Sequence, residues 1–145
     1  MPVITLYQPW ATWVADGLKL IETRTHNRLL GLLGKHILIH AGQTTDRYAL
    51  PNPYLYGRKY SEPINGVILC KAYVNRVGKL SGIHSESAMI DCENVERFGL
   101  YLKEVKKFTP IPEKGEMGIW YYDIANKVKV KKPKLTAPTL FHHPL

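Results

Sequence analysis

The sequence predicts a small α+β, mostly β fold: five or six short strands closed or nearly closed into a barrel, with one early helix. Three observations predict it. Segments rich in β-branched and aromatic residues recur from end to end, separated by glycine, proline and polar turn signals. Helical spacing is clear only near the start. The 145 residues suit one domain, with no internal repeat and no dividing linker, and a chain of this size can bury roughly 68–70% of its unfolded surface.

The elements follow in order. Residues 2–7, PVITLY, read as a first strand. Pro9 suits a helix start, Trp10, Trp13 and Val14 recur on one helical face, and Gly17 is the stop, giving a helix over 9–16. Residues 19–24, KLIETR, leave it extended. LLGLLG (29–34) is broken by Gly31 and Gly34 and reads as a turn between strands. HILIHA (36–41) is a strand with Ile37 and Ile39 on one side and His36, Leu38 and His40 on the other. Residues 42–63 read as a long loop. In 65–77, Val67, Leu69, Lys71 and Tyr73 alternate with Ile68, Cys70, Ala72 and Val74, the clearest strand. A short helix is expected near 85–96 and a strand over 98–109. Residues 115–124 give a glycine-punctuated turn and a closing strand, and 127–131 can add an edge strand.

The domain is expected over 1–124, with 125–145 a basic, proline-containing tail. The chain carries 20 Lys+Arg against 12 Asp+Glu, a net charge of +8. That favours an anionic partner, but residues 125–145 supply +5 of it through Lys127, Lys129, Lys131, Lys132 and Lys134. Cys70 and Cys92 are the only cysteines. They exclude a disulfide scaffold and a four-cysteine zinc site, and reduced thiols in a cytoplasm are expected. No apolar run approaches the ~20 residues of a membrane span, and the first residues, without a basic or apolar stretch, are not expected to be a secretion signal.

The most informative stretch is Gln8 to Arg24, QPWATWVADGLKLIETR. A helix with a sharp exit aims the residues after it into the space beside its end. Glu22 and Arg24 are two apart and share a face of an extended strand. Either the three charges of Lys19, Glu22 and Arg24 form a surface network that holds a turn, worth about 0–1 kcal/mol, or they line a polar pocket beside Trp10.

Gln8-Pro9-Trp10-Ala11, then Gly17, Lys19, Glu22 and Arg24, then Ile39-His40-Ala41-Gly42 resemble the start of ASCH domains, of the PUA-like superfamily. The resemblance continues through Gly66-Val67-Ile68 and Gly115…Gly118-Ile119-Trp120 and covers roughly residues 3–124. It implies a PUA-like β-barrel with helices at its rim and a cleft between the first helix and the barrel that takes RNA or a modified nucleoside. The G-x-K-x-x-E-x-R residues, Lys19, Glu22 and Arg24 among them, line that cleft by the resemblance, and with Gln8, Trp10 and His40 they are the candidate ligand-binding residues. The chemistry agrees: Lys19 and Arg24 can meet a phosphate or a base carbonyl, and Glu22 can accept from a base edge or orient Arg24.

The resemblance also raises catalysis. Some ASCH-type proteins are ribonucleases, and a short relative removes the acetyl group of N4-acetylcytidine with Lys and Thr in a G-x-K-x-x-T stretch and a distant Glu. Lys19 matches that lysine. Glu22 stands at the threonine position, so the nucleophile is missing there; Thr23 is adjacent but is expected to face the other way on a strand. Glu86, Glu93 and Glu96 are candidates for the distant Glu. In an enzyme, Lys19 and Glu22 are the expected catalytic pair. A ribonuclease could draw its base from His26, His36, His40 or His84 and its cations from Lys19, Arg24 and Arg28.

Basic and aromatic residues interleave in the long loop, and Arg47, Tyr54, Tyr56, Arg58 and Lys59, with Arg28, are candidate nucleic-acid contacts. A surface loop anchored by its tyrosines is the alternative. DNA stays open beside RNA. No metal site, cofactor or membrane partner is expected, and His142-His143 in the tail is not read as a metal pair.

Overall fold

The computed structural model describes residues 1–133; Lys134, His142 and His143 lie outside them. Seven strands form one mixed sheet, β1 (Pro2–Gln8), β2 (Ile21–Arg24), β3 (His36–Thr45), β4 (Val67–Lys79), β5 (Phe98–Pro112), β6 (Trp120–Asp123) and β7 (Val128–Val130). Their order is β2-β5-β4-β3-β1-β6-β7. β1 runs parallel to β3 and antiparallel to β6, and the remaining ladders are antiparallel. This is a small barrel-like β fold, with one strand more than the upper expectation. The hydrogen bonding does not close, because β2 and β7 are the two edges. The β4–β5 ladder slips register at three places, and such irregularities bend and twist long strands so that the sheet curls.

Both faces of the central strands are covered, as the alternation in the sequence requires. Ile4, Leu6, Ile37, Ile39, Cys70, Ala72 and Val74 face the main core. Val3, Leu38, Ile68, Trp120 and Tyr122 face a second, smaller core. The two cysteines are buried free thiols, and burial pushes the Cys70 thiol up to about 12.

The early helix, α1 (Trp10–Ala15), starts one residue after Pro9. Its exit is made by Gly17 at φ +77°, a conformation that favours glycine. Leu18 N and Lys19 N both donate to Trp13 O, at 2.9 and 3.0 Å, which closes the helix end. The sequence suggested one apolar face; the helix is instead buried on two. Ala11, Val14 and Ala15 join the main core, while Trp13 packs on the other side with Ala49, Leu55 and Met89. The long loop is therefore a lid of packed structure over α1, with one 3-10 turn at Pro53–Leu55.

Two expectations are corrected. The strand expected to end at residue 41 runs to Thr45. The helix expected near 85–96 is a single turn, α2 (Ser85–Ala88), preceded by a 3-10 turn at Gly82–His84. Met89 ends α2 in the left-handed region at φ 58°, and the Asp91 carboxylate then accepts from Glu93 N and Asn94 N. An Asx turn of this kind competes with helix for the same backbone donors.

Candidate functional site

A cavity of about 250 Å³ opens where α1, the end of β1, β2 and the segment after α2 meet. Trp10, Lys19, Glu22 and Arg24 all border it. Four of the six expected ligand-binding residues thus converge in one concave site.

Lys19 is 2% exposed. Its Nζ donates to Ala88 O at the end of α2 and lies 4.8 Å from the centre of the Trp10 ring. A buried ammonium loses hydration that a carbonyl, a ring face and a nearby carboxylate replace only in part. Burial is the dominant effect: against the attraction of Glu22, it brings the Lys19 pKa down from 10.5 to about 8. Glu22 is itself buried and forms an ion pair with Arg24, whose Nη2 stands 3.3 Å from Oε2. The Arg24 Nη2 also approaches Thr5 O at 3.5 Å, and its Nε is buried with no partner among the described residues. Arg24 is held in place with hydrogen-bonding capacity unused.

Sequence reasoning missed three contributors. Asp46 accepts from the Trp10 indole, Nε1 to Oδ2 at 2.9 Å, and so fixes the ring that Lys19 faces. Tyr7, 57% exposed, stands at the cavity mouth; the parity of β1, with Leu6 and Gln8 buried on either side, was the signal that could have found it. Ala88 O meets Lys19 across 69 positions of sequence, and no local pattern announces that.

Gln8 and His40, expected in the cleft, lie outside the cavity. Gln8 is fully buried away from the cavity: its Oε1 accepts from Thr12 N at 3.0 Å and its Nε2 donates to Ile64 O at 2.9 Å. It ties the start of α1 to the segment just before β4. His40 is also buried outside the cavity, edge-on to Trp120. Its Nε2 lies 2.7 Å from Glu113 O and must carry the proton, since a carbonyl only accepts. Its Nδ1 then accepts from Thr5 Oγ1 at 3.2 Å, which accepts from Trp120 Nε1 at 3.0 Å. This chain of bonds suits the neutral ring, and burial holds the His40 pKa below its ordinary value. Gly115 lies against the ring so closely that a Cβ there would fall 2.6 Å from His40 Cε1. Two of the motif's residues therefore hold the scaffold together.

Thr23, expected to face away, also borders the cavity. Arg47, Tyr56, Arg58 and Lys59 are exposed on the long loop, and neither they nor Tyr54 border the cavity. Arg58 folds back on its own turn, donating to Leu55 O and Tyr54 O, and Tyr54 packs against the Trp13 cluster. Among the candidate bases, His36 stacks at a tilt on Tyr73, and His84 Nδ1 accepts from Ser81 N. His26 accepts from Arg28 N. Among the candidate distant acids, Glu96 is near Lys79, and Glu86, Glu93 and Glu96 do not border the cavity.

Arg24, Thr5 and Tyr7 also border a second, outer cleft of about 610 Å³, where they meet His26, Arg28 and Lys132.

No protein-family model matches the chain, and no curated protein matches it. Solved structures do. The crystal structure of ASCH from Zymomonas mobilis aligns with a TM-score of 0.58 at 14% identity, over 86% of this chain and 88% of that one. A tyrosine-to-phenylalanine mutant of that protein aligns at 0.51, with 16% identity over 77% of this chain and 74% of its own. A serine-to-alanine mutant aligns at 0.50, with 18% identity over 77% and 72%. At these identities the likeness is one of fold, and the protein has the fold of an ASCH domain.

Proposed function

We propose that the protein binds RNA or a modified nucleoside, with a base held in the cavity beside α1. The observation that carries this is the convergence of Trp10, Lys19, Glu22 and Arg24 on one 250 Å³ cavity. The volume is just under the ~300–1,000 Å³ of ligand pockets generally, which suits one base with its sugar and not a longer chain. The wall carries two cations, Lys19 and Arg24, and two acids, Glu22 and Asp46. A balanced wall with both donors and acceptors suits a neutral base, whose edge offers both. Trp10 and Tyr7 supply ring surface at the mouth, as unstacked bases require. A cytoplasmic setting, where Cys70 and Cys92 stay reduced, fits this reading. The test is equilibrium binding of a labelled single-stranded RNA and of free nucleosides to the native protein and to Lys19→Met. Binding that weakens at least tenfold in the variant supports the reading; equal binding by both proteins rejects it.

A second reading, a hydrolase on the same cavity, is favoured by one observation. A lysine brought down to about 8 exchanges its proton near neutral pH, as a general acid or base must. Incubation with single-stranded RNA and with N4-acetylcytidine, followed by product analysis, tests it. Turnover that disappears in Lys19→Met supports catalysis, and absence of any product rejects it.

A further inference from the structure

The two cavities differ in charge, and the difference points to what passes between them. The inner wall is balanced. The outer cleft gathers Arg24, Arg28 and Lys132 with His26 against a single acid, Glu116. That acid is already engaged, with Lys129 Nζ 3.2 Å from its Oε2. Burial, and after it the charges of Arg28 and Arg24, hold the His26 pKa below its ordinary value. With His26 Nδ1 accepting from Arg28 N, the neutral ring carries its proton on Nε2, a donor. Arg24 stands at the junction and borders both spaces, with its Nε buried and without a partner among the described residues. Tyr7 borders both as well, and Met117, 98% exposed, flanks the outer one.

A neutral inner pocket joined to a cationic outer cleft through one guanidinium matches the alternation of base and phosphate along a strand. Guanidinium groups pair with phosphate oxygens in a planar, two-pronged geometry. We infer that the outer cleft is a phosphodiester subsite, so that the ligand is a nucleotide within a single strand and not a free nucleoside. The linking phosphate lies against Arg24, Arg28 and Lys132, and the neighbouring base lies on Tyr7 and Met117. This inference rests on the inner cavity holding a base. It also gives one lysine of the basic C-terminal segment, Lys132, a defined partner.

The experiment uses a fluorescein-labelled, mixed-sequence eight-nucleotide RNA, the same RNA with methylphosphonate linkages, free nucleosides and nucleoside 5′-monophosphates. Each is titrated into the native protein, into Arg28→Ala/Lys132→Ala and into Lys19→Met. Arg28 and Lys132 are exposed, so the double variant keeps its fold, checked by circular dichroism. The inference predicts at least tenfold weaker RNA binding by the double variant. It also predicts a salt dependence shallower by about 1.4 in log K against log salt, from two contacts at ~0.7 each on a single strand. Native binding to the methylphosphonate RNA and to free nucleosides should be weaker than to RNA, and monophosphates should not recover the full RNA affinity. Unchanged RNA affinity and salt slope in the double variant, with loss in Lys19→Met, overturn the outer subsite and leave the inner cavity standing. Full binding by Lys19→Met with loss in the double variant overturns the inner cavity and the joined site with it. Monophosphates that match the RNA overturn the strand assignment in favour of a terminal phosphate.

Discussion

Replacing Lys19 by Met leaves an unbranched side chain of similar reach and removes the buried charge. The native ammonium titrates at 10.5 in an unfolded chain and at about 8 in the fold. Between those values the unfolded chain holds the extra proton, so stability rises with pH across the interval. Below pH 8 the cost of burying the charge is present in full; above 10.5 it is gone. A gap of about 2.5 pH units at about 1.4 kcal/mol each gives about 3 kcal/mol. The variant also orphans Ala88 O, which costs about 1–3 kcal/mol, but that cost does not depend on pH. The assay is urea unfolding of both proteins at intervals from pH 7 to 10.5. The difference between them cancels the titration of groups that do not interact with Lys19. The native protein should gain about 3 kcal/mol relative to Lys19→Met across that range. A difference that stays constant with pH would refute the claim that Lys19 is held as a desolvated ammonium.

Three further outcomes follow from the same geometry. Glu22→Gln removes the main attraction that raises the Lys19 pKa, so the Lys19 inflection should fall below its native position near 8, read from the carbon-13 shift of its Cε; an unmoved inflection would separate the two groups. Gly115→Ala forces a methyl to within 2.6 Å of His40 Cε1, and urea unfolding should show a loss of about 1–3 kcal/mol, with no loss if the ring can shift freely. The His40 ring is held below its ordinary pKa of 6.5 by burial. The unfolded chain therefore takes up this proton first as pH falls. Stability should decline from about pH 6.5 downward and level off below the folded-state value, and His40→Gln should flatten that part of the profile.

The fold was legible where periodicity is local. The alternation in 65–77 and the Gly17 stop each specify their element without help from distant residues. The helix expected at 85–96 failed because Met89 and Asp91 take turn conformations that compete with it, a choice made by two residues and invisible to a windowed pattern. The strand over 36–45 ran longer than expected because its partner β1 supplies Gln8 as a register mate for Thr45, which is long-range information. At the site, Glu22 and Arg24 were readable from their spacing of two. Gln8 and His40 lie outside the cavity for a physical reason: a buried amide or imidazole that ties two segments together is as constrained as one that lines a pocket. Asp46 and Ala88 are joined to the site only through contacts made in space.

The central claim is that the cavity beside α1 takes a base. The chain's three tryptophans report on three separate places: Trp10 borders the cavity, Trp13 sits in the core beneath it, and Trp120 lies against His40 in the second core. A nitrogen-15 NMR titration of their indole resonances with single-stranded RNA reads all three at once. The account predicts a saturable shift of the Trp10 indole, a smaller one at Trp13, and a Trp120 signal that does not move. A Trp10 signal that stays fixed while RNA binds would contradict it.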